Sequence, residues 1–522
     1  MRSSRRSTSS SPLLHPADTT DPLSPSTAPL DPSPSSHRST TPLLILTASL
    51  SGLLFGYDTG IISSTLLHLP SSFPLTTLSK SLITSSTSLF ALFASPLSAP
   101  LADALGRRPV ILIACLLFVV GALTQALANG VAVMVLGRSV IGLAVGGASS
   151  TVPMYISEIA PAEKRGRLVT VQSLFITGGQ VVAYLVGWGT GDKWRVAVGL
   201  GAVPALVQAV LMGRLVESPR FLVMKGRAGE AEEVLRGMGV GDVGGVMGRV
   251  GEEVRAMKLS GRSAVRELWG RMGNRRALGI ACLLQGLQQL CGFNVLMYFS
   301  ATIFSLVGFS SPVMTSLSIA GTNFIFTLAA FSLIDSIGRR RILLVSIPFM
   351  FIGLMLCAVC FLYLPSTGPG APSHLILLRS SLAHITRGWS PSLLPSALLV
   401  SLILYVAAYA LGLGCVPWQQ SELFPLQVRS LGSGIATATN WSSNFLVGIT
   451  FLPMMEWMGS ATTFAVYAII CAVGWGMVYG FYPETAGMEL EDVGELLAEG
   501  WGVSRGKSTG HVRVPTEEPD GL

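Results

Sequence analysis

The stretch GLLFGYDTGIISS, Gly52 to Ser64, places one carboxylate, Asp58, near the middle of an apolar run that begins at Leu43. A second apolar run, around LGRSVIG, holds one guanidinium, Arg138. Ionised side chains at hydrocarbon depth are costly, so such groups belong with a partner or a function. Facing each other, the two form a pair whose proton occupancy depends on their separation and on the access of water. That is the chemistry needed to couple a proton to a change of shape; a static ion pair is the alternative.

A second polar set is neutral. Gln288, Gln289, Asn294 and Tyr298 lie on one apolar stretch, where amides need hydrogen-bonding partners that lipid does not supply. A polyol offers many. Positions 288 and 289 point about 100° apart on a helix, so both reach one ligand only across a cavity, whereas 294 and 298 share a face. Trp418 and Trp441 add flat surfaces for the C–H side of a ring. Interhelical hydrogen bonding is the other use for such amides. All seven cysteines fall in apolar runs and read as small core residues. CAVC, Cys357 to Cys360, has a metal or redox spacing but neither a second pair nor a nearby histidine. The histidines sit in tails, loops or the ends of apolar runs, which leaves no metal or cofactor site to expect and argues against an enzyme.

The elements that must position these groups follow from composition. The 522 residues are 50% hydrophobic and 12% charged, against about 25% charged in soluble proteins. Twelve apolar runs recur, near 43–66, 80–103, 109–128, 131–153, 168–188, 194–215, 277–303, 312–334, 342–364, 394–421, 431–457 and 461–482. Each is long enough to cross about 30 Å of hydrocarbon as a helix, and a helix satisfies its own backbone there. The first 41 residues, rich in Ser, Thr and Pro with no apolar signal region, are expected to be a disordered tail.

Arg107 and Arg108, Lys164, Arg165 and Arg167, Arg339 to Arg341, and Arg429 follow the second, fourth, eighth and tenth runs, while the opposite loops near Asn129, Ser310 and Gly459 carry no basic residue. Lys193, Arg195, Arg379 and Arg387 are exceptions on that side. The bias predicts that both termini are cytosolic. It also accounts for much of the net charge of +7, with no clustered basic groove for nucleic acid.

The chain repeats itself. DALGRRP at Asp103 returns as DSIGRRR at Asp335, SEIAPAEKRGR around Glu158 returns as SELFPLQVRS around Glu422, and ESPR at Glu217 is echoed by PETAG at Glu484. This predicts an all-α membrane protein of two pseudo-symmetric six-helix halves. The expected division is a tail (1–41), a first half (42–216), a helical cytoplasmic linker (217–276), a second half (277–490) and a C-terminal tail (491–522). Parallel halves place a substrate at their interface near mid-membrane and work by rocking. Asp103, Arg107, Glu158, Arg165, Glu217, Arg220, Asp335, Arg339, Glu422, Arg429 and Glu484 are then candidates for a cytoplasmic gate, pairing when the halves close there. Topogenic surface charge is the alternative for any one of them.

FGYDTG, GRSVIGLAVGG, VPMYISEIAPAEKRGR, ESPR, QQLCGFNVLMY, DSIGRRR, VPWQQSELFP and PETAG together resemble the sugar porters of the major facilitator superfamily, over about residues 43–495. GYDTGIISS, TGGQ, CLLQGLQQLCGFNVLMYFSATIF, GTNFIFTLAAF and TATNW look most like the fungal myo-inositol/proton symporters. The resemblance implies a polyol site of Gln180, Gln288, Gln289, Asn294, Tyr298, Asn323, Trp418, Asn440 and Trp441, with Asp58 as the proton site. It departs at several positions, among them Ala410, where glucose uniporters have an acid. Ser173 stands where many hexose porters have Gln, which puts hexose recognition in doubt, and Ala486 replaces the Lys of the PETKG signature, which weakens the second-half gate. The resemblance thus implies import of myo-inositol with protons by alternating access, in the plasma membrane. Hexose/proton symport, facilitative sugar uniport and a non-transporting nutrient sensor remain alternatives.

Overall fold

The computed structural model describes residues 41–69, 72–159, 165–238, 240–260, 263–364, 393–425, 427–486, 488 and 490–503. The expected N-terminal tail up to residue 40, the loop holding Arg379 and Arg387, Lys164 and the chain beyond residue 503 lie outside them. The first half comprises α1 (Thr41–His68), α2 (Thr77–Leu105), α3 (Arg107–Ala126), α4 (Val131–Ile159), α5 (Arg165–Thr190), α6 (Trp194–Gly199) and α7 (Ala202–Gly213). Four short helices follow: α8 (Pro219–Met224), α9 (Ala228–Gly237), α10 (Val243–Ser260) and α11 (Ser263–Gly270). The second half holds α12 (Met272–Leu290), α13 (Phe293–Val307), α14 (Pro312–Ile337), α15 (Arg339–Tyr363), α16 (Leu394–Leu411), a 3₁₀ helix (Val416–Leu423) and α17 (Arg429–Phe481), with α18 (Leu490–Glu499) after it.

Among the described residues, ten segments are long and apolar enough to cross a membrane by length and composition. One of them, α17, is two helices joined through Gly459, whose φ of 81° and ψ of 158° are not helical. With α1, 28 residues long and so about 42 Å at 1.5 Å per residue, the count reaches the twelve expected.

Three runs are less regular than their composition suggests. The sixth divides at Leu200–Gly201 into α6 and α7. The seventh breaks at Cys291–Gly292, where Gly292 takes φ +90°, a region that favours glycine. The carbonyl of Cys291 released by this break accepts a hydrogen bond from the Tyr405 hydroxyl at 3.0 Å, and Phe293 just beyond it stacks on Tyr409 with centroids 3.8 Å apart. The tenth helix stops at Leu411 and does not continue to 421. Gly412, Gly414 and Pro417 explain the stop, since glycine is a weak helix former and proline cannot donate to the preceding turn.

Close backbone approach organises the first half. Gly52, Gly56 and Gly60 recur every fourth residue on α1, and a methyl group at any of them would overlap Gln172, Ile176, Gln180 or Ala183 of α5. Small residues on one helix face let two membrane helices pack this tightly. In the first half α1 packs on α5 and α7, α2 on α4, and α3 on α4 and α7; in the second, α15 packs on α16 and α17, α12 on α17, and α14 on α16. The halves meet where α2 contacts α17, α5 contacts α14 and α1 contacts α13.

Candidate functional site

Asp58 of α1 and Arg138 of α4 face each other as expected. The Arg138 Nη1 group donates to Asp58 Oδ1, and both residues are buried, at 1% and 4% exposure for arginine and acid. A long side chain this deep needs more than one support. Arg138 Nε also donates to the Ile83 carbonyl of α2 at 3.1 Å, and the Thr87 hydroxyl of α2 donates to the Arg138 carbonyl at 3.1 Å. Helix α2 therefore holds the guanidinium, and α1 supplies the acid.

Across from this pair, the second half carries a closed network of amides centred on Asn440 of α17. Gln289 Nε2 donates to Asn440 Oδ1 at 3.1 Å. Asn440 Nδ2 donates to Gln288 Oε1 at 2.8 Å and to Gln285 Oε1 at 2.7 Å. Asn294 Nδ2 donates to Gln289 Oε1 at 2.6 Å, across the break at Gly292. Gln288 Nε2 is held by the Leu413 carbonyl at 2.9 Å, and Gln285 Nε2 by Gln420 Oε1 at 2.9 Å. Gln285 and Gln420 were not expected. Gln285 lies three residues before Gln288, a helical spacing that puts both on one face; that was the available signal.

Tyr298 sits one turn beyond Asn294. Its buried hydroxyl lies 3.4 Å from Asn444 Oδ1, and Asn444 is one turn beyond Asn440.

The other expected residues divide. Asn323 Nδ2 of α14 donates to Gln180 Oε1 of α5 at 2.9 Å, so these two amides meet across the halves. Trp441 is buried and meets Phe55 of α1 edge-on, with centroids 5.6 Å apart. Ser173 is buried on α5, two turns before Gln180. The Trp418 side chain lies outside the described residues.

A further contact between the halves joins the end of α1 away from the arginine clusters to the middle of α13. The Tyr184 hydroxyl donates to the Met297 carbonyl at 2.6 Å and lies 2.8 Å from Ser300 Oγ. Ser63 Oγ accepts from the Ala301 backbone N–H at 3.1 Å and lies 3.2 Å from Ser300 Oγ.

At the arginine-rich end each half builds its own cluster. Arg107 pairs with Glu158 through Nε and Nη2, both at 2.9 Å, and with Asp103 at 3.0 Å. Arg339 pairs with Glu422 at 3.4 Å. Arg429 donates to the Phe424 carbonyl at 3.3 Å, and Arg220 is half-buried on α8. The side chains of Arg165 and Asp335 lie outside the described residues. Each of these pairs ties helices of a single half together.

Glu217 and Glu484 meet backbone groups of the arginine clusters and not their side chains. Glu217 accepts from the backbone N–H groups of Arg107 at 3.1 Å and Arg108 at 3.2 Å, and Glu484 accepts from those of Arg339 at 2.8 Å and Arg340 at 3.1 Å. Each carboxylate caps a helix N-terminus, where unpaired N–H groups and the helix dipole favour an anion. Gly106 and Gly338, at φ +109° and +94°, turn the chain beneath these carboxylates, and a side chain at either would collide with the acid. This explains the repeated GRR. Burial pushes the Glu217 carboxyl above the usual range, against the pull of its backbone donors.

Two six-helix halves, with a buried ion pair in one facing an amide network in the other, define a secondary transporter of the major facilitator fold. Residues 44–497 match the model of the Sugar (and other) transporter family, and the chain belongs to that family, which is one of transporters and not of enzymes. It is 41% identical to Myo-inositol transporter 1 of Candida albicans over 482 residues, 89% of this chain and 84% of that protein. It is 39% identical to Myo-inositol transporter 1 of Saccharomyces cerevisiae over 495 residues, 91% and 83% of the two chains. Among solved structures, the xylose transporter XylE from E. coli in a partially occluded inward open conformation superposes with a TM-score of 0.69 at 26% identity, covering 85% of this chain and 98% of that one. XylE bound to 6-bromo-6-deoxy-D-glucose, described as a proton:xylose symporter, has the same TM-score and covers 87% of this chain and 98% of its own.

Proposed function

We propose that this chain imports a cyclic polyol, myo-inositol, together with protons, by alternating access in the plasma membrane with both termini in the cytosol. The observation that carries the reading is that the buried Asp58–Arg138 pair of the first half and the Asn440 amide network of the second lie on helices that touch, with Trp441, next to Asn440, meeting Phe55, one turn before Asp58. Relatives named as myo-inositol transporters support the polyol, and a structural neighbour described as a proton symporter supports the coupling.

In this reading Asp58 takes up the proton and Arg138 sets when it lets go. Each carboxamide both donates and accepts, so the hydroxyls of a polyol can replace the bonds that Gln285, Gln288, Gln289, Asn294 and Asn440 make with one another. Gln180, Asn323 and Trp441 close on the ligand from where the halves meet, with Ser173 and Trp418 completing the expected site. The Ser63–Ser300–Tyr184 contact holds the outer end shut. The clusters at Arg107 and Arg339 keep each half rigid at the other end, with Arg165, Arg220, Asp335 and Arg429 completing the cytoplasmic gate.

Purified protein in liposomes with an inward pH gradient should concentrate labelled myo-inositol, and glucose should compete less well than unlabelled myo-inositol. Uptake that only equilibrates would refute coupling. Better competition by glucose would refute the polyol assignment and favour a hexose carrier.

A further inference from the structure

Helix α11, SAVRELWG, takes no part in the site. Leu268 points into the protein and is fully buried, while Val265 and Trp269, one turn apart on α11, are 53% and 57% exposed, and Met272, just past the bend at the start of α12, is 55% exposed. Exposed apolar side chains grouped with a tryptophan in this way are unusual on a segment surrounded by water.

Its position names what covers the stripe. Helix α12 starts two residues after α11 ends, and the bend between them is fixed by Asn274 Nδ2 donating to the Glu267 carbonyl at 3.0 Å. The charge-free part of α12 begins at Ala277, about 8 Å along the axis from Met272 at 1.5 Å per residue. That is comparable with the ~5–8 Å depth of one headgroup layer. Arg266, Arg271 and Arg275 flank the stripe, and all three are exposed. Arg271 shares its charge with Glu267 at 3.2 Å. Apolar side chains with tryptophan on one face and arginine at its edges describe a helix lying in a membrane interface and drawn to anionic lipid.

We propose that α11 lies on the leaflet at the arginine-rich end, with Val265, Trp269 and Met272 at the headgroup–acyl boundary and the flanking arginines on anionic lipid phosphates. It anchors the segment between the halves to the bilayer beside the foot of α12.

The full-length protein is reconstituted in bilayers containing phosphatidylserine, and the emission of Trp269 is taken as the difference between the unmodified chain and Trp269→Phe. Brominated acyl chains should quench this emission and aqueous acrylamide should not. Arg266→Gln and Arg275→Gln should each lower the ratio of docked to lifted helix by about fivefold, and replacement of phosphatidylserine by phosphatidylcholine, which removes both contributions together, by about 25-fold. Retained proton-driven uptake shows that the variants are folded. Quenching by acrylamide in place of bromolipid overturns the proposal. So does protection from both quenchers, which would mean that protein covers the stripe, and so does a bromolipid signal indifferent to the arginines and to anionic lipid.

Discussion

Asp58→Asn separates a coupling role from a structural one. Asparagine keeps the size and one acceptor but removes the charge, leaving Arg138 at 1% exposure without its counter-charge. Removing one member of a buried ion pair costs about 3–5 kcal/mol. The value should fall at the low end, because the Arg138 Nε bond to Ile83 survives and the asparagine carbonyl still accepts from Nη1. Replacing both partners, as Asp58→Asn with Arg138→Gln, removes the stranded charge and should restore most of the thermal stability. Coupling should not return with it. One pH unit is worth about 1.4 kcal/mol, so transport with one proton per substrate sustains at most about a tenfold gradient. In liposomes with that gradient and matched protein amounts, the single and double variants should both equilibrate at a ratio of about one, while counterflow of labelled against unlabelled myo-inositol persists. Undiminished accumulation in either variant would refute Asp58 as the proton site. Loss of binding in the stabilised double variant would show the pair to be part of the substrate site.

Asn440→Ala removes the shared partner of Gln285, Gln288 and Gln289, and equilibrium binding of myo-inositol should weaken by about 10- to 100-fold, equivalent to roughly 1–3 kcal/mol; unchanged affinity would place the substrate elsewhere. Tyr184→Phe with Ser300→Ala removes three buried hydroxyl contacts, to Met297, to each other and to Ser63, each worth about 1 kcal/mol, and should shift the population about 150-fold toward outer-open, seen as a longer distance between spin labels at His68 and Val307. The Glu217 carboxyl is raised by burial, so folding takes up a proton in the window above the usual glutamate range. Its stabilising share is complete below that range and lost as pH rises through it, and Glu217→Gln should flatten this part of the melting-temperature profile. Epitope tags at both termini should be inaccessible in intact cells, and one inserted at residue 370 should be labelled from outside.

The repeats and the twelve-helix plan were legible because hydrocarbon imposes length and apolarity on every span, and because the GRR turns recur with their acids. The Asp58–Arg138 pair was legible for the same reason, since few charges survive at that depth. What escaped was local backbone geometry. The break at Gly292 lies in a run as apolar as its neighbours, and only the tertiary contacts of Tyr405 and Tyr409 make it affordable. Glu217 and Glu484 looked like partners for arginine side chains, yet bind the backbone of those same arginines, a difference that composition does not carry. Gln420 sits in a 3₁₀ segment that hydropathy assigned to the tenth span. Asn444 repeats Asn440 one turn later, and its relation to Tyr298 emerges only once α13 and α17 are side by side.

The break in the seventh span has a consequence for pharmacology. Gln285, Gln288 and Gln289 belong to one rigid rod, while Asn294 and Tyr298 belong to the next, with Gly292 as the joint. If the substrate binds as proposed, a molecule that satisfies both sets of groups would set the angle of that joint, and one that satisfies only the first rod would occupy the same pocket and leave the joint as it was. Affinity and carriage would then be separate properties. Trimming a polyol so that it no longer reaches Asn294 and Tyr298 would turn a substrate into a blocker, because what it loses is the instruction to close and not the place to sit.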